Sequence, residues 1–213
     1  MIELFTHGSP NGHKVAIALE ELALQYEVRS VNVFADEGQR PEFLALNPAG
    51  KIPVIRDLDN GAVVTESDAI LLYVADKAGR LVPASGLLRV RAVELLFLQA
   101  SLQGPMFGQR SHFSLFAPET VPYGIRRYEQ QGEIVDALVD KLLTGNEYFL
   151  GNEYSIVDIA FFSWYFAAQR SGFEISRHAN LVAWMARVGR RPAVQRGVTV
   201  PAGLPPLPTR RRA

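Results

Sequence analysis

The order of strand and helix patterns in the first 80 residues constrains the fold more than any other feature of the chain. Ile2 to Thr6 is a strand-like run, Pro10 to Leu24 has apolar residues at helical spacing, and Tyr26 to Val33 alternates as a strand does. A strand, a helix and a second strand in this order predict two parallel strands that are joined by a right-handed crossover.

The residues that follow predict a hairpin between two helices. Pro41 to Leu46 has a short helical pattern, whereas Ile52 to Asp57 and Ala62 to Thr65 are strand-like. The polar turn Asp59-Asn60-Gly61 between these two runs is typical of a hairpin. Ser67 to Lys77 then predicts another helix. The first part of the chain is therefore expected to form a small mixed sheet with helices packed on it.

The composition changes at residues 79–86, GRLVPASG, which have the character of a linker. No convincing strand follows this segment. Helical patterns cover roughly Leu87 to Phe107, Val121 to Leu143, Ser155 to Arg170 and Asn180 to Arg190. We therefore predict an α/β domain at residues 1–80, a linker at 81–87 and an all-helical domain at 88–213. This domain ends in a Pro-rich tail, VPAGLPPLP, that we expect to be extended.

Composition narrows the classes of function that this chain can have. The 22 basic residues are matched by 22 acidic ones, so we expect no nucleic-acid partner. The chain has no cysteine, which excludes disulfides and a protein thiol nucleophile, and its four histidines lack metal-ligand spacing. No apolar run approaches the roughly 18 residues that span a bilayer, and no secretory leader pattern is present. We expect a soluble cytoplasmic protein with no metal site.

The junction between the first strand and the first helix, SPNG, allows two interpretations. Ser9 fits a helix N-cap, and Pro10 fits the first helical position. The N-terminus of a helix also attracts anions, so the thiolate or carboxylate of a ligand is compatible with Ser9 and Asn11 side chains that point outward. The residues alone leave both interpretations open.

The segment Asn47 to Ile55, NPAGKIPVI, has an ordinary structural explanation. Asn-Pro and Ala-Gly are turn signals, and Pro53 is tolerated at the start of a strand. The Ile52–Pro53 bond is one that can be cis.

Two later serines also fit the starts of helices. Ser67 fits an N-cap position, with Glu66 and Asp68 near the positive end of its helix. Ser155 is followed three residues later by Asp158, which predicts a capping box. We therefore assign Asp158 to helix architecture and not to catalysis.

Taken together and in this order, the motifs resemble those of the cytosolic glutathione transferases. The resemblance rests on SPNGHKV after the first strand, PEFLALNPAGKIPVI, ESDAILLYVADK, the linker and YSIVDIA in the helical part, and so covers nearly the whole chain. It implies a thioredoxin-like N-terminal domain followed by a C-terminal helical-bundle domain, which agrees with the element order above.

One branch of that family is a closer match. The segments GPMFGQ and HFSLFAPETVPYGIRRY look like the nu-class bacterial transferases, which are related to Ure2-like proteins. The resemblance implies glutathione-dependent disulfide reductase activity. It also implies that the site takes glutathione as a cosubstrate, as two glutathione molecules or as one glutathione disulfide.

The resemblance implies a binding site on the N-terminal domain. The backbone of Ile52, beside a cis bond to Pro53, would pair with the cysteinyl part of glutathione. Glu66 and Ser67 would hold the amine and carboxylate of the γ-glutamyl part. The residues implied near the glycyl end are Lys51 and Gln39.

The resemblance places the sulfur of glutathione at the opening junction. Ser9 and Asn11 match the branch's hydroxyl and amide that donate hydrogen bonds to the sulfur, and Arg127 matches an arginine of the helical domain that contacts bound glutathione. Arg126 is a second basic residue beside it. Aromatic residues of the helical domain would line the pocket for the second substrate, with core packing as the alternative: Phe107, Phe113, Phe116 and Trp164.

We therefore expect an enzyme that activates the thiol of glutathione for disulfide exchange or for conjugation to a small electrophile. A non-catalytic glutathione-binding regulatory protein is the alternative, and a chain in which every motif is only a cap or a turn is a third possibility. The resemblance also implies a homodimer.

Overall fold

The structure is a computed structural model, and it describes residues 1–204. The end of the predicted Pro-rich tail, from residue 205 onward, lies outside the described residues. Contacts divide the described chain into two compact units, Met1–Ala84 together with Arg190–Leu204, and Ser85–Gly189. The predicted domain boundaries at residues 80 and 88 remain a prediction about folding.

A mixed four-stranded sheet forms the centre of the first unit. Its strands are β1 (Ile2–Thr6), β2 (Tyr26–Ser30), β3 (Val54–Asp57) and β4 (Val63–Thr65), in the order β2-β1-β3-β4. β1 pairs with β2 in parallel, whereas the pairings of β1 with β3 and of β3 with β4 are antiparallel. The predicted crossover and hairpin are therefore confirmed.

Two helices connect these strands and a third follows the last strand, as the sequence predicts. They are α1 (Pro10–Leu22), α2 (Pro41–Leu44) and α3 (Ser67–Ala78), and short 3-10 turns occupy Val33–Ala35 and Glu37–Gln39. The helices α1 and α3 contact each other. Buried apolar side chains of α1, such as Val15 and Leu19, and of α3, such as Ile70, form the core with the sheet.

The second unit is helical throughout its regular structure. A continuous helical stretch contains α4 (Gly86–Leu98), a π-helical turn at Gln99–Gln103, α5 (Gly104–Ser111) and a second π-helical turn at His112–Phe116. The remaining helices are α6 (Pro122–Leu142), α7 (Ile156–Arg170) and α8 (Ala179–Gly189). The prediction of an all-helical second part is confirmed, although the first helical stretch extends beyond the predicted end at Phe107.

One helix was not predicted. The chain leaves α8 and forms a short helix α9 (Pro192–Gly197), which packs on α1 in the first unit. Two ion pairs hold this segment on α1, one between Arg191, the residue before α9, and Glu21, and one between Arg196 and Glu20. The first unit is therefore built from both ends of the described chain.

Candidate functional site

The register of the sheet brings three separate chain segments to one end of it. Phe5 of β1 lies opposite Val54, the first residue of β3, and Val54 in turn lies opposite Thr65, the last residue of β4. The segments that follow β1, precede β3 and follow β4 therefore share this end. They contain Ser9-Pro10-Asn11, Lys51-Ile52-Pro53 and Glu66-Ser67.

Ser9 caps the N-terminus of α1. Its Oγ accepts a hydrogen bond from the backbone N–H of Gly12 at 3.0 Å, and Pro10 is the first helical residue. The capping interpretation is confirmed, and it leaves the Ser9 hydroxyl proton available to a ligand because the cap uses the oxygen as an acceptor. Asn11, the second helical residue, is partly exposed at the same positive helix end.

The segment before β3 has the predicted cis bond between Ile52 and Pro53. Asn47 holds this segment in place, because its side-chain amide donates to the carbonyl of Lys51 at 2.7 Å while its oxygen accepts from the backbone N–H of Ala49 at 3.0 Å. Asn47 is itself buried. The Asn-Pro turn signal marks this position, but only the structure shows that Asn47 fixes the backbone of Lys51.

Glu66 adopts a backbone conformation that is unusual for a residue with a side chain. Its φ is 64° and its ψ is 117°, and it occupies the N-cap position of α3 without a capping side-chain bond. Such conformations store strain of about 1–3 kcal/mol and are concentrated at functional sites. The prediction that Ser67 is the N-cap is therefore wrong by one residue, because Ser67 is the first helical residue of α3. Ser67 is 9% exposed, whereas the Glu66 side chain is exposed. The first N–H groups of α3 have no partner within the helix, so this end can hold an anion.

Lys14 is a charged residue of this site that the sequence motifs do not single out. Its side chain is buried in the first unit, and its Nζ donates to Ser67 Oγ at 3.1 Å and to Asp68 Oδ1 at 2.8 Å. Burial lowers the pKa of Lys14, and the charge of Asp68 opposes that shift. Burial likewise raises the pKa of Asp68, against the effect of Lys14. A lysine within the apolar run of α1 is the signal that marks this position.

Gln39 lies beside the segment that contains Lys51. The Nε2 atom of Gln39 is 2.5 Å from the point where a methyl group on Gly50 would lie, so Gln39 packs against the residue that precedes Lys51. Gly50 has a φ of 64°, which favours glycine there. Both Gln39 and Lys51 have exposed side chains.

The remaining predicted residues belong to the second unit. Arg127 and its neighbour Arg126 are exposed on α6, and the role of Arg127 at the sulfur stays a prediction. Phe107 is 1% exposed and meets Tyr165 edge-on at 5.1 Å, so it is a core residue and does not line an open pocket. Phe116, by contrast, is 52% exposed.

Asp158 has the structural role that the sequence predicts. With Ser155 it forms a complete capping box at the start of α7, and its Oδ1 also accepts from Trp184 Nε1 at 2.8 Å. Burial raises the pKa of Asp158 to about 6, although its hydrogen bonds favour the charged form. The residue is fully buried, so it cannot reach a ligand.

A shallow cavity of about 350 Å³ opens elsewhere on the first unit, beside α2. Its walls combine apolar side chains such as Phe5 and Phe43 with the arginines Arg29, Arg40 and Arg56. None of the predicted site residues lines this cavity. Its arginines are already paired with glutamates, so the three segments at the end of the sheet remain the better candidate site.

Two general features of the described residues bear on function. Within residues 1–204, no group of three or more His, Asp or Glu side chains is arranged so that it can hold a metal ion. Over the same residues, every helix is too short or too polar to cross a membrane.

Comparison with known proteins identifies both parts of the chain. Residues 8–77 match the model of the glutathione S-transferase N-terminal domain, and residues 126–192 match that of the C-terminal domain. A disulfide-bond oxidoreductase of Escherichia coli, YfcG, is 37% identical over 198 residues, which cover 91% of this chain and 92% of that relative.

Solved structures of similar proteins contain glutathione. A glutathione transferase homologue from Lodderomyces elongisporus, with two glutathione molecules per subunit, superimposes with a TM-score of 0.90 at 34% identity and covers 94% of this chain and 98% of its own. A glutathione transferase from Pseudomonas putida, with one glutathione disulfide per subunit, has a TM-score of 0.86 at 34% identity. The match covers 94% of this chain and 92% of the Pseudomonas putida chain. These matches confirm the resemblance found in the sequence, and the chain belongs to the glutathione S-transferase family.

Proposed function

We propose that the protein binds glutathione at the end of the sheet where β1, β3 and β4 meet, and that it activates the thiol for exchange with a disulfide. The observation that carries this proposal is the strand register, which assembles Ser9 and Asn11, Ile52-Pro53, and Glu66-Ser67 from three distant segments. The similarity to a disulfide-bond oxidoreductase and to structures with bound glutathione supports the same reaction.

The γ-glutamyl group binds at the start of α3. Its carboxylate accepts hydrogen bonds from the Ser67 hydroxyl and from the open N–H groups of the helix. Its ammonium group pairs with the exposed carboxylate of Glu66. The cysteinyl backbone pairs with the backbone of Ile52, and the glycyl carboxylate lies near the side chains of Lys51 and Gln39.

The sulfur lies at the start of α1. Hydrogen bonds from Ser9 and Asn11 and the positive end of the helix favour the thiolate, with Arg127 as a further positive group, and so lower the pKa of the bound thiol. The thiolate attacks one sulfur of a disulfide, forming a mixed disulfide and releasing the other sulfur as a thiolate. A second glutathione thiolate then attacks the mixed disulfide, which gives glutathione disulfide and the reduced product thiol. An electrophilic carbon in place of the disulfide gives conjugation instead.

Ser9 must be tested in a way that separates the cap from the sulfur contact. Ser9→Ala removes both the hydroxyl and the cap, at a cost of about 1 kcal/mol in stability, whereas Ser9→Gly removes the hydroxyl but costs only a few tenths. We expect both variants to lose a similar fraction of turnover with a small loss of glutathione binding, while Ser9→Ala loses more stability than Ser9→Gly. Asn11→Ala is expected to reduce turnover in the same way.

The assay compares a small disulfide with a halogenated aromatic electrophile, and calorimetry measures glutathione binding. Wild-type turnover from both Asn11→Ala and Ser9→Gly would exclude the proposed sulfur donors. Glutathione binding by the native protein without turnover on either substrate would instead assign it to the alternative class, the non-catalytic glutathione-binding regulatory proteins.

The protein is a homodimer in this proposal. Exposed apolar residues on α4 support it, because Leu87 is 88% exposed, Val90 62% and Phe97 71%, and their spacing places them on one side of the helix. Sedimentation of the wild type at the dimer mass, and of a Phe97→Asp variant at the monomer mass, is the expected result. A wild type that sediments as a monomer would exclude the homodimer.

The cytoplasm is the compartment that this activity requires, because glutathione is kept largely reduced there. Fractionation of the source cells should recover the protein with cytoplasmic markers, and its recovery in a membrane or extracytoplasmic fraction would contradict this part of the proposal.

A further inference from the structure

The side chain of Lys14 reaches from α1 to the first turn of α3. It is 1% exposed, and its Nζ lies 3.1 Å from Ser67 Oγ and 2.8 Å from Asp68 Oδ1. Ser67 and Asp68 are the first two residues of α3, so the ammonium group lies directly beneath the helix end at which an anion is favoured.

Burial of the Lys14 ammonium group costs desolvation free energy, and the fold does not need a charge at this position. Lysine is almost never fully buried unless it is paired, and a buried ion pair is often no more stabilising than apolar residues of the same volume. A methionine at position 14 would fill the same space without the desolvation cost. The contact with Ser67 therefore calls for an explanation in terms of the site.

Hydrogen-bond chemistry supplies that explanation. An ammonium group has three donors and no acceptor, so Ser67 Oγ can only be the acceptor in its bond with Lys14. The proton of the Ser67 hydroxyl must then point to a different acceptor. A hydroxyl that accepts from a cation is also polarised, which strengthens the hydrogen bond that it donates.

We propose that Lys14 is a positioning residue, which orients the Ser67 hydroxyl as a donor to the α-carboxylate of the γ-glutamyl group. This inference rests on the proposed function, because it assigns the polarity of a hydroxyl in that binding site. Asp68 neutralises the buried lysine and holds it against Ser67. Lys14 itself does not touch the ligand.

The test uses a pair of ligands that differ only in the group that Ser67 contacts. Glutathione has the α-carboxylate, and 4-aminobutyryl-cysteinyl-glycine lacks it but keeps the amine, the thiol and the glycyl end. Calorimetry with the full-length protein gives the dissociation constant of each ligand. The ratio of the two constants measures the contribution of the carboxylate contact.

The main variant is Lys14→Met/Asp68→Ala, because Lys14→Met alone would leave Asp68 as an unpaired, largely buried charge. We expect the double variant to bind glutathione about tenfold more weakly than the wild type, a loss of about 1.4 kcal/mol. Binding of the decarboxylated analogue is expected to stay within about twofold of the wild type. Arg191→Met/Glu21→Ala is the matched control, since it also removes a cation together with its carboxylate partner, at the contact of α9 with α1 and away from the site.

A second measurement keeps the inference testable if the double variant does not fold. Ser67→Ala retains Lys14 and Asp68, and it should lose the same preference for glutathione over the analogue. When the double variant does fold, adding Ser67→Ala to it should cause little further loss, because the two changes remove one shared contact.

The outcomes separate this inference from the proposed function. Equal weakening of both ligands in the double variant would show a merely structural role and overturn the inference. Unchanged glutathione binding by the double variant, or by Ser67→Ala when the double variant does not fold, would also overturn it, with the glutathione site intact. Failure of the wild type to bind either ligand would overturn the proposed function, and the inference with it.

Discussion

At the scale of single residues, the site combines strain with unsatisfied helix ends. Glu66 has a positive φ although it is not a glycine, and it lies between the end of β4 and the start of α3. A residue in this conformation destabilises the fold, so its retention is explained by what the side chain or the backbone does for a ligand.

The strain and the carboxylate of Glu66 can be separated by two substitutions. Glu66→Ala removes the carboxylate and keeps the strain, whereas Glu66→Gly removes both, because glycine adopts a positive φ without a steric cost. We expect the Gly variant to be about 1 kcal/mol more stable than the Ala variant in urea unfolding. Both should bind glutathione more weakly than the wild type, and by a similar factor. Equal stabilities of the two variants would contradict the strain at Glu66.

The raised pKa of Asp158 predicts that the stability of the folded protein depends on pH. Burial raises the pKa of Asp158 to about 6 in the folded protein, above its ordinary value of 3.8 in the unfolded chain. Between about pH 4 and pH 6 the folded state therefore holds a proton that the unfolded state has lost. The contribution of Asp158 to the free energy of unfolding is fully present below pH 3.8 and is lost as the pH rises through 6.

Asp158→Asn cannot titrate, so it isolates this effect. The amide loses hydrogen bonds at every pH, because its NH2 group would face donors of Ser155. The free energy of unfolding of the wild type, relative to that of the variant, should fall by on the order of 3 kcal/mol between pH 4 and pH 7. Urea titrations at several pH values measure this difference, and a constant difference would show that Asp158 has an ordinary pKa when folded.

The sequence predicts part of the site at this scale, and the reason is the range of the interactions. The Ser9 cap and the Ser155–Asp158 capping box are formed by neighbours, so spacing along the chain is enough to find them. The bonds of Lys14 join residues 53 and 54 positions apart, and nothing local to α1 indicates them. The positive φ of Glu66 is likewise set by the connection between β4 and α3, not by its residue type.

At the scale of elements, the long helical stretch from Gly86 to Phe116 shows why a predicted boundary moved. Pro105 lacks an N–H group and its ring clashes with the carbonyl four residues earlier in a regular helix. The π-helical turn at Gln99–Gln103 lies immediately before it and widens the helix, so the chain continues through the proline. The run predicted from Leu87 to Phe107 already passes this proline, so what periodicity alone does not indicate is the continuation to Ser111 and the second π-helical turn at His112–Phe116.

The packing of α9 on α1 leads to a prediction about one glycine. A methyl group at Gly197 would lie 2.6 Å from the backbone N and Cα of Ile17, atoms that cannot move aside as a flexible side chain can. Gly197→Ala should therefore destabilise the protein by about 1–3 kcal/mol through overpacking. Gly189→Ala is the matched control, since its methyl group would have an ordinary 3.7 Å contact with Phe162. Equal thermal midpoints for the two variants would contradict the close approach of α9 to α1.

At the scale of the whole molecule, the chain passes from one unit to the other and back again. The two halves of the fold class are predicted correctly because each has a distinct pattern, alternating elements first and helices afterwards. The return of residues 190–204 to the first unit is not predictable in the same way. Its helix α9 is only six residues long, too short to show a periodic apolar face, and its partner α1 lies near the other end of the chain.

Because residues 190–204 complete the first unit, we predict that residues 1–84 do not fold stably alone. Ile17 on α1 is fully buried where Gly197 approaches it, and Glu20 and Glu21 find their arginine partners on or beside α9. A fragment of residues 1–84 would expose this face, whereas the same fragment joined to residues 190–204 by a flexible linker of about 15 Gly and Ser residues would cover it. We expect cooperative urea unfolding, followed by circular dichroism, only for the joined fragment.

A Gly197→Ala version of the joined fragment serves as the control and should lose much of that stability. An unfolding midpoint of the short fragment equal to that of the joined one would show instead that the first 84 residues are a complete folding unit, as the domain boundary predicted at residue 80 requires.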